Sequence, residues 1–149
     1  MSDMNEIREG EVVAEGLPEP GDAALVFIGR IRTPWTDRSA CPRQGDPDGP
    51  ICRLELAPPW ERALVGLDAH ETLEVFYWLH RSRRDLLVQR RKKDGLLRGT
   101  FSLRSPVRPN PIGTSIARLV GIEGSVVLVR GLDCLDGTPL IDLKPERRR

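Results

Sequence analysis

The sequence predicts a mainly β domain, a barrel or sandwich carrying one or two short helices. Three observations predict it. Short runs rich in β-branched and aromatic residues, or alternating apolar with polar, recur along most of the chain. Turn signals built on Gly, Pro, Asn and Asp separate them. Helical spacing with start signals is well developed in a single stretch. A doubly wound fold needs alternating strands and helices, and the sequence offers neither these nor a GxGxxG string.

Residues 1–22 carry seven acidic side chains against Arg8, with Pro18, Pro20 and Gly21 closing the segment. They have no apolar period and read as a flexible acidic leader. The domain proper is expected over 23–146, with Arg147-Arg148-Arg149 as a basic tail. Ala23 to Arg32 is strand-like and is cut off by Thr33-Pro34. A polar loop runs from Trp35 to Pro50, and Ile51 to Leu56 then alternates as a half-buried strand does. Pro58 to Leu67 is the helix candidate. Proline suits its first turn, Glu61 complements the dipole, and Trp60, Leu64 and Leu67 share a face.

Thr72 to His80 reads as a buried strand. Arg83 to Gln89 has the composition of a second short helix, and Lys92-Lys93-Asp94-Gly95 is a turn. Strands follow around 98–103, 115–122 and 125–132, the last two joined at Glu123-Gly124 as a hairpin. A final strand is expected at Pro139–Leu143.

A chain of 149 residues has room for one core. Its 39% apolar and 30% charged content is ordinary for a globular protein, and no apolar run is long enough to span a bilayer. The acidic N-terminus has no export signal, which points to the cytoplasm. Three cysteines without ligand spacing, and two histidines, point away from a metal site. The net charge of +1 conceals a basic run from Arg81 to Arg98 that includes Arg90, Arg91, Lys92 and Lys93. Such a run either neutralises phosphates or forms a solvated face.

Three segments carry chemistry. In Gly99 to Gly113, three prolines within six positions stiffen a loop that presents Arg104, Arg108 and Asn110. In Gly131 to Pro145, Asp133 and Asp136 flank the turn Asp136-Gly137-Thr138-Pro139; they either receive a ligand's donors or cap their own turn. In Ala40 to Gly45, an arginine and an amide lie in a long loop, where functional residues concentrate.

In order and wording these segments resemble the TsaA-like, or TrmO, family. The resemblance rests on Ile28-Gly29 through Thr33-Pro34, Cys41-Pro42-Arg43-Gln44-Gly45, Gly66-Leu67-Asp68 and Tyr77-Trp78-Leu79-His80. It is clearest in the string from Arg104 to Gly113, in Asp136-Gly137-Thr138-Pro139 and in Asp142-Leu143-Lys144-Pro145. It implies a small S-adenosylmethionine-binding β-barrel that works as a homodimer, with the donor near the subunit interface. The implied reaction is methyl transfer to N6 of threonylcarbamoyladenosine beside the tRNA anticodon.

Residue by residue, the resemblance implies donor contacts from Pro42, Arg43, Gln44, His80, Arg81, Arg104, Thr114 and the run Leu132, Asp133, Cys134 and Leu135. Asp136 adjoins that run. Arg108, Asn110, Arg90, Arg91, Lys92, Lys93 and Lys144 are the candidates for contacting tRNA. N6 of the modified base is a poor nucleophile until it loses a proton, so a general base is expected, with His80 and Asp136 as candidates. The sequence departs from the family at Glu71-Thr72-Leu73-Glu74 and at Glu146, which follows Lys144-Pro145 where a tyrosine is common. Two other readings keep the fold: methyl transfer to another RNA or a small molecule, and a barrel that binds the donor without catalysis.

Overall fold

The computed structural model describes residues 5–147. They form two compact units. One comprises the segment up to Ala24 together with Leu79–Ile112; the other comprises Leu25–Trp78 and the chain from Gly113 onward.

The second unit is a closed barrel of six strands. They are β2 (Gly29–Arg32), β3 (Cys52–Leu56), β4 (Thr72–Trp78), β7 (Ile112–Glu123), β8 (Val126–Arg130) and β9 (Thr138–Pro145). Around the barrel the order is β2-β3-β8-β7-β4-β9, so no strand edge is left open. The alternation read at Ile51–Leu56 is an alternation of burial, and β4 and β8 show the same period. Leu73, Val75 and Tyr77 of β4 face inward, as do Cys52 and Leu54 of β3 and Val127 and Val129 of β8. With Ile31, Ala117 and Leu140 they fill the interior, each large aliphatic side chain contributing roughly 1.5–3 kcal/mol by leaving water. The expected hairpin joins β7 to β8, with Gly124 at φ +62° in the turn.

Two irregularities shape the wall. Val120 is an extra residue on β7 opposite Val129 and Leu128. Ile141 is an extra residue on β9 where Phe76 and Tyr77 pair with Asp142 and Leu140. A bulge of this kind bends its strand and re-aims nearby side chains. It falls beside Tyr77.

The first unit is a three-stranded antiparallel sheet. β5 (Leu86–Arg90) is central, flanked by β1 (Val12–Val13) and β6 (Leu97–Gly99). Within the acidic leader, Val12 pairs with Val88, and the Ala14 N–H donates to the Asp85 carbonyl at 2.7 Å. The Arg90 guanidinium reaches the Glu9 carbonyl at 2.7 Å, and its backbone N–H donates to Glu11 at 2.8 Å. Arg8 in turn donates to the Arg90 carbonyl at 3.0 Å.

Some expected elements take another form. Arg83–Gln89 is not helical: its second half is β5, hydrogen-bonded on both sides. That pairing outweighs the local helical tendency of the run. Pro58–Leu67 becomes two 3₁₀ turns, Trp60–Leu64 and Leu67–Ala69, parted by Gly66 at φ +87°. Neither turn buries a residue, and Val65 is 92% exposed, so no apolar face holds a longer helix together. The strand expected from Ala23 is ordered as such only from Gly29, and the chain after β6 turns into a 3₁₀ segment at Thr100–Ser102.

Candidate active site

The expected donor-binding residues are divided between the two units. Pro42, Arg43, Gln44, Thr114 and the run Leu132–Asp136 belong to the barrel; His80, Arg81 and Arg104 belong to the sheet unit.

In the barrel, the loop bearing Pro42–Gln44 closes onto the turn at Gly131. Gly45 lies so close to the Gly131 carbonyl that a Cβ there would collide with it, and Arg130 donates to the Gly49 carbonyl at 2.6 Å. The loop starts in order: the Asp37 carboxylate accepts from the Ser39 N–H and caps a 3₁₀ turn over Arg38–Ala40. The Cys41 thiol is pushed above its ordinary value, first by burial and then by the Asp133 carboxylate. Loop and turn therefore lie together. Arg43 and Gln44 themselves are exposed, and their side chains have no partner among the described residues.

Within 132–136 the side chains have different fates. Leu132 and Cys134 point into the core at 2% and 4% exposure, so a ligand would meet these residues through their backbone. Thr33 donates from its hydroxyl to the Cys134 carbonyl at 2.9 Å, and Thr138 donates to the Leu135 carbonyl at 2.6 Å. Asp133 is half-buried and accepts from the Tyr77 hydroxyl at 3.0 Å. Asp136 accepts from the Thr33 N–H at 3.0 Å and lies 3.9 Å from the Arg32 guanidinium. Its carboxylate thus ties the end of β2 to the β9 turn, which is the capping role open to it from sequence. Thr114 has a buried hydroxyl without a hydrogen-bond partner among the described residues.

In the sheet unit, the proline-rich loop is braced from below. Gln89 is buried and donates to Thr100 Oγ1 at 2.9 Å and to the Val107 carbonyl at 2.7 Å. Thr100 donates onward to the Leu86 carbonyl at 2.6 Å. Arg108 folds back on its own loop, donating to the carbonyls of Leu103 and Ser105 at 2.9 and 3.0 Å. Arg84 donates to the Pro109 carbonyl at 2.5 Å and to Asn110 at 3.3 Å. Held by these contacts, the loop presents Arg104 to solvent with no partner among the described residues; His80 is likewise exposed and unpartnered.

The chain is similar to known proteins in sequence and fold. The sequence pattern of the tRNA-methyltransferase O N-terminal domain matches residues 30–148. A probable S-adenosyl-L-methionine-binding protein, VirR of Rhizobium radiobacter, is 57% identical over 135 residues, covering 91% of this chain and 77% of the relative. The chain is also similar to a mouse tRNA (adenine(37)-N6)-methyltransferase, 38% identical over 88 residues that are 57% of this chain and 20% of the mouse protein. The crystal structure of TrmO from Pseudomonas aeruginosa superposes with a TM-score of 0.70 at 33% identity, covering 87% of this chain. The chain spans 56% of that solved protein. The chain belongs to the TrmO family.

In this TrmO-family chain the remaining expected residues lie mostly in the sheet unit. Arg90 is bound to the leader and to the Gly95 carbonyl, and Arg91 lies 3.6 Å from Asp94. Lys92 and Lys93 stand exposed and without a partner among the described residues. Lys144 sits over the Phe76 ring at 5.4 Å, a cation–π contact on the barrel wall. Two depressions, of about 470 and 370 Å³, lie elsewhere: one beside Asn5, Leu17 and Ser82–Asp85, the other beside Ala69–Thr72 and Glu146. Neither contains an expected donor-binding residue.

Sequence reasoning passed over Tyr77 and Ser115, whose hydroxyls are 2.8 Å apart. The signal was present: a tyrosine on the inward face of a buried strand needs a partner for its hydroxyl. Its partners lie 38 and 56 residues away, beyond the reach of local pattern.

Proposed function

We propose that this member of the TrmO family is an S-adenosylmethionine-dependent methyltransferase that modifies N6 of threonylcarbamoyladenosine next to the tRNA anticodon. One observation carries the reading. Around the motif strings, Arg84, Arg108 and Asp136 are committed to holding backbone, while Arg43, Gln44, His80 and Arg104 are exposed and without a partner among the described residues. Polar groups held ready on braced loops suit a charged ligand, because little ordering remains to be done on binding.

The residues fit S-adenosylmethionine. Arg104 offers a two-pronged donor for a carboxylate. Gln44 and the Asp133 carboxylate suit the amide-like and hydrogen-donating edges of adenine, ribose and ammonium. Thr114 supplies a buried hydroxyl without a partner among the described residues, the kind of group a ligand satisfies. Pro42, Arg43, Arg81 and the backbone of Leu132–Leu135 complete the proposed set. The bound donor supplies an electrophilic methyl group, so the protein's task is alignment and exclusion of water.

His80 is the proposed proton acceptor for N6, since its imidazole is exposed and free of partners among the described residues. Asp136 is proposed instead as a brace, for its oxygens serve Thr33 and Arg32. Lys92 and Lys93 are proposed to meet tRNA phosphates from the turn between β5 and β6. Arg90, Arg91, Arg108, Asn110 and Lys144 are further proposed contacts to tRNA. A homodimer working in the cytoplasm belongs to the same proposal. Ile112, Ile116 and Val120 on β7 are 42–49% exposed, an apolar row suited to a second copy.

The test is transfer from labelled S-adenosylmethionine into total tRNA taken from cells lacking their own enzyme of this type, with nucleosides identified by mass spectrometry. Methylated threonylcarbamoyladenosine is the expected product. Donor binding by calorimetry without incorporation would retain the donor site and overturn the acceptor.

A further inference from the structure

The barrel contains a polar relay that the reaction outlined above does not call for. Ser115 on β7 and Tyr77 on β4 have hydroxyl oxygens 2.8 Å apart, and the Tyr77 hydroxyl donates to Asp133 Oδ1 at 3.0 Å. Tyrosine has one hydroxyl proton. With that proton on Asp133, the Ser115 hydroxyl must donate to Tyr77, so the relay runs in one direction, from Ser115 through Tyr77 to the carboxylate. A donor that is itself receiving a hydrogen bond is polarised and binds its acceptor more firmly.

The relay is built with care for its geometry. Tyr77 is 4% exposed, and burial, followed by the charge of Asp133, pushes its phenol far above the ordinary range. The shift favours the neutral phenol, the form that can donate to Asp133. Gly113 packs against the ring, and a Cβ there would run into Cε2, Cδ2 and Cζ, so the absence of a side chain at 113 is what leaves the ring its place. The Ile141 bulge on β9 lies opposite Phe76 and Tyr77 and sets the local aim of β4. A phenylalanine would fill the same core volume; the hydroxyl serves the carboxylate.

The target of the relay lies at the mouth of the barrel. Asp133 is half-buried and follows the Gly131 turn, whose carbonyl packs against Gly45 at the end of the loop that carries Pro42, Arg43 and Gln44. Its charge is also felt at the Cys41 thiol of that loop. We infer that Tyr77 and Ser115 are positioning residues that fix the Asp133 carboxylate to receive a hydrogen-donating group of the methyl donor, either its ammonium or its ribose hydroxyls. The inference rests on the donor-binding reading of this site. It assigns neither residue a contact with ligand; both act through Asp133.

Calorimetric titration of the full chain with S-adenosylhomocysteine tests it. Tyr77→Phe should weaken binding roughly 10-fold, the effect of losing one hydrogen bond to a charged group. Ser115→Ala should weaken it about 3-fold, through the loss of polarisation alone. Asp133→Asn should weaken it at least as much as Tyr77→Phe, and Tyr77→Phe should then add nothing in the Asp133→Asn background. That non-additivity is a readout a merely structural hydroxyl would not move.

The same series with 5′-methylthioadenosine, which lacks the amino-acid portion, locates the contact. A loss shared by both ligands assigns the ribose, and a loss confined to S-adenosylhomocysteine assigns the ammonium; either supports the relay. Unchanged affinity in Tyr77→Phe with a lowered melting temperature would overturn it, as would fully additive losses in the double variant. Failure of the unaltered chain to bind either ligand would remove the donor reading itself, and the relay's role with it.

Discussion

In the barrel, the polar groups of the candidate site are joined across long sequence distances. The Tyr77 hydroxyl meets the side chains of Ser115 and Asp133, the Thr33 hydroxyl donates to the Cys134 carbonyl, and the Thr33 N–H donates to the Asp136 carboxylate. Around Arg104 in the sheet unit, the polar side chains hold the backbone of one loop over separations of 3 to 25 residues. Gln89 and Arg108 support the carbonyls of the proline-rich loop, and Arg84 supports the far end of the same loop. The barrel therefore orients a few groups by closing strands around them, whereas the sheet unit orients Arg104 by stiffening one loop. Closure demands distant partners. Stiffening needs prolines and a local brace, which is why the second solution is written so plainly in the sequence.

The largest expected effect breaks the comparison on its exposed side. Arg104 is presented without a partner, so removing it should cost ligand contacts and nothing else. Arg104→Ala should weaken S-adenosylhomocysteine binding about 30- to 100-fold, with the melting temperature within a degree or two of the unaltered chain. Arg104→Lys should recover little of the loss, because a point charge does not replace a planar fork. Isothermal calorimetry paired with thermal melts checks both parts. A large stability loss would mean the guanidinium serves the fold, contrary to its exposed position.

The next effect tests the brace. Gln89→Leu keeps the buried volume and removes both donors, leaving the Val107 carbonyl unsatisfied beside Thr100. The expected cost is about 1–3 kcal/mol within the sheet unit. Hydrogen exchange should show it as faster exchange of the amides of Leu86–Arg90 and the residues following Thr100, with the barrel strands unchanged. Donor affinity should fall only a few-fold, since Arg104 is loosened rather than lost. Equal acceleration of exchange in β3 and β8 would mean the two units unfold together.

The sequence made the barrel legible through its strand runs: the alternation at Ile51–Leu56 is an alternation of burial in β3, and the run read as a buried strand at Thr72–His80 holds the buried Leu73, Val75 and Tyr77. The proline string around Arg104 was legible for the reason given above, that φ restriction acts locally. Three things were not. Arg83–Gln89 has helical composition, and its strand state depends on partners as far away as Val12. Pro58–Leu67 has helical spacing, yet no apolar surface meets it, and spacing without burial leaves only 3₁₀ turns. Tyr77 was visible as a core residue, but nothing local announced that its hydroxyl would meet Ser115 and Asp133. Strand pairing and its bulge decide that contact, and both are properties of the closed barrel.

The smallest effect sharpens the comparison by isolating the barrel. All three cysteines and all three tryptophans belong to the barrel unit, so tryptophan fluorescence reports on that unit alone. Burial raises the Cys52 thiol from 9.0 to about 11, because the low-dielectric interior penalises the thiolate. A raised folded-state value means that the unfolded chain loses its proton first. The associated stability is complete below about pH 9 and drains away as pH climbs through 11. Fluorescence melts from pH 8 to 11 should show the barrel's midpoint falling by a few degrees more than in Cys52→Ala, whose curve starts lower and stays flatter. The slope is the diagnostic quantity, since the alanine also leaves a small cavity that lowers the whole curve. Parallel curves for the two proteins would show that the thiol is solvated, and that the interior at the β3 end of the barrel is open to water.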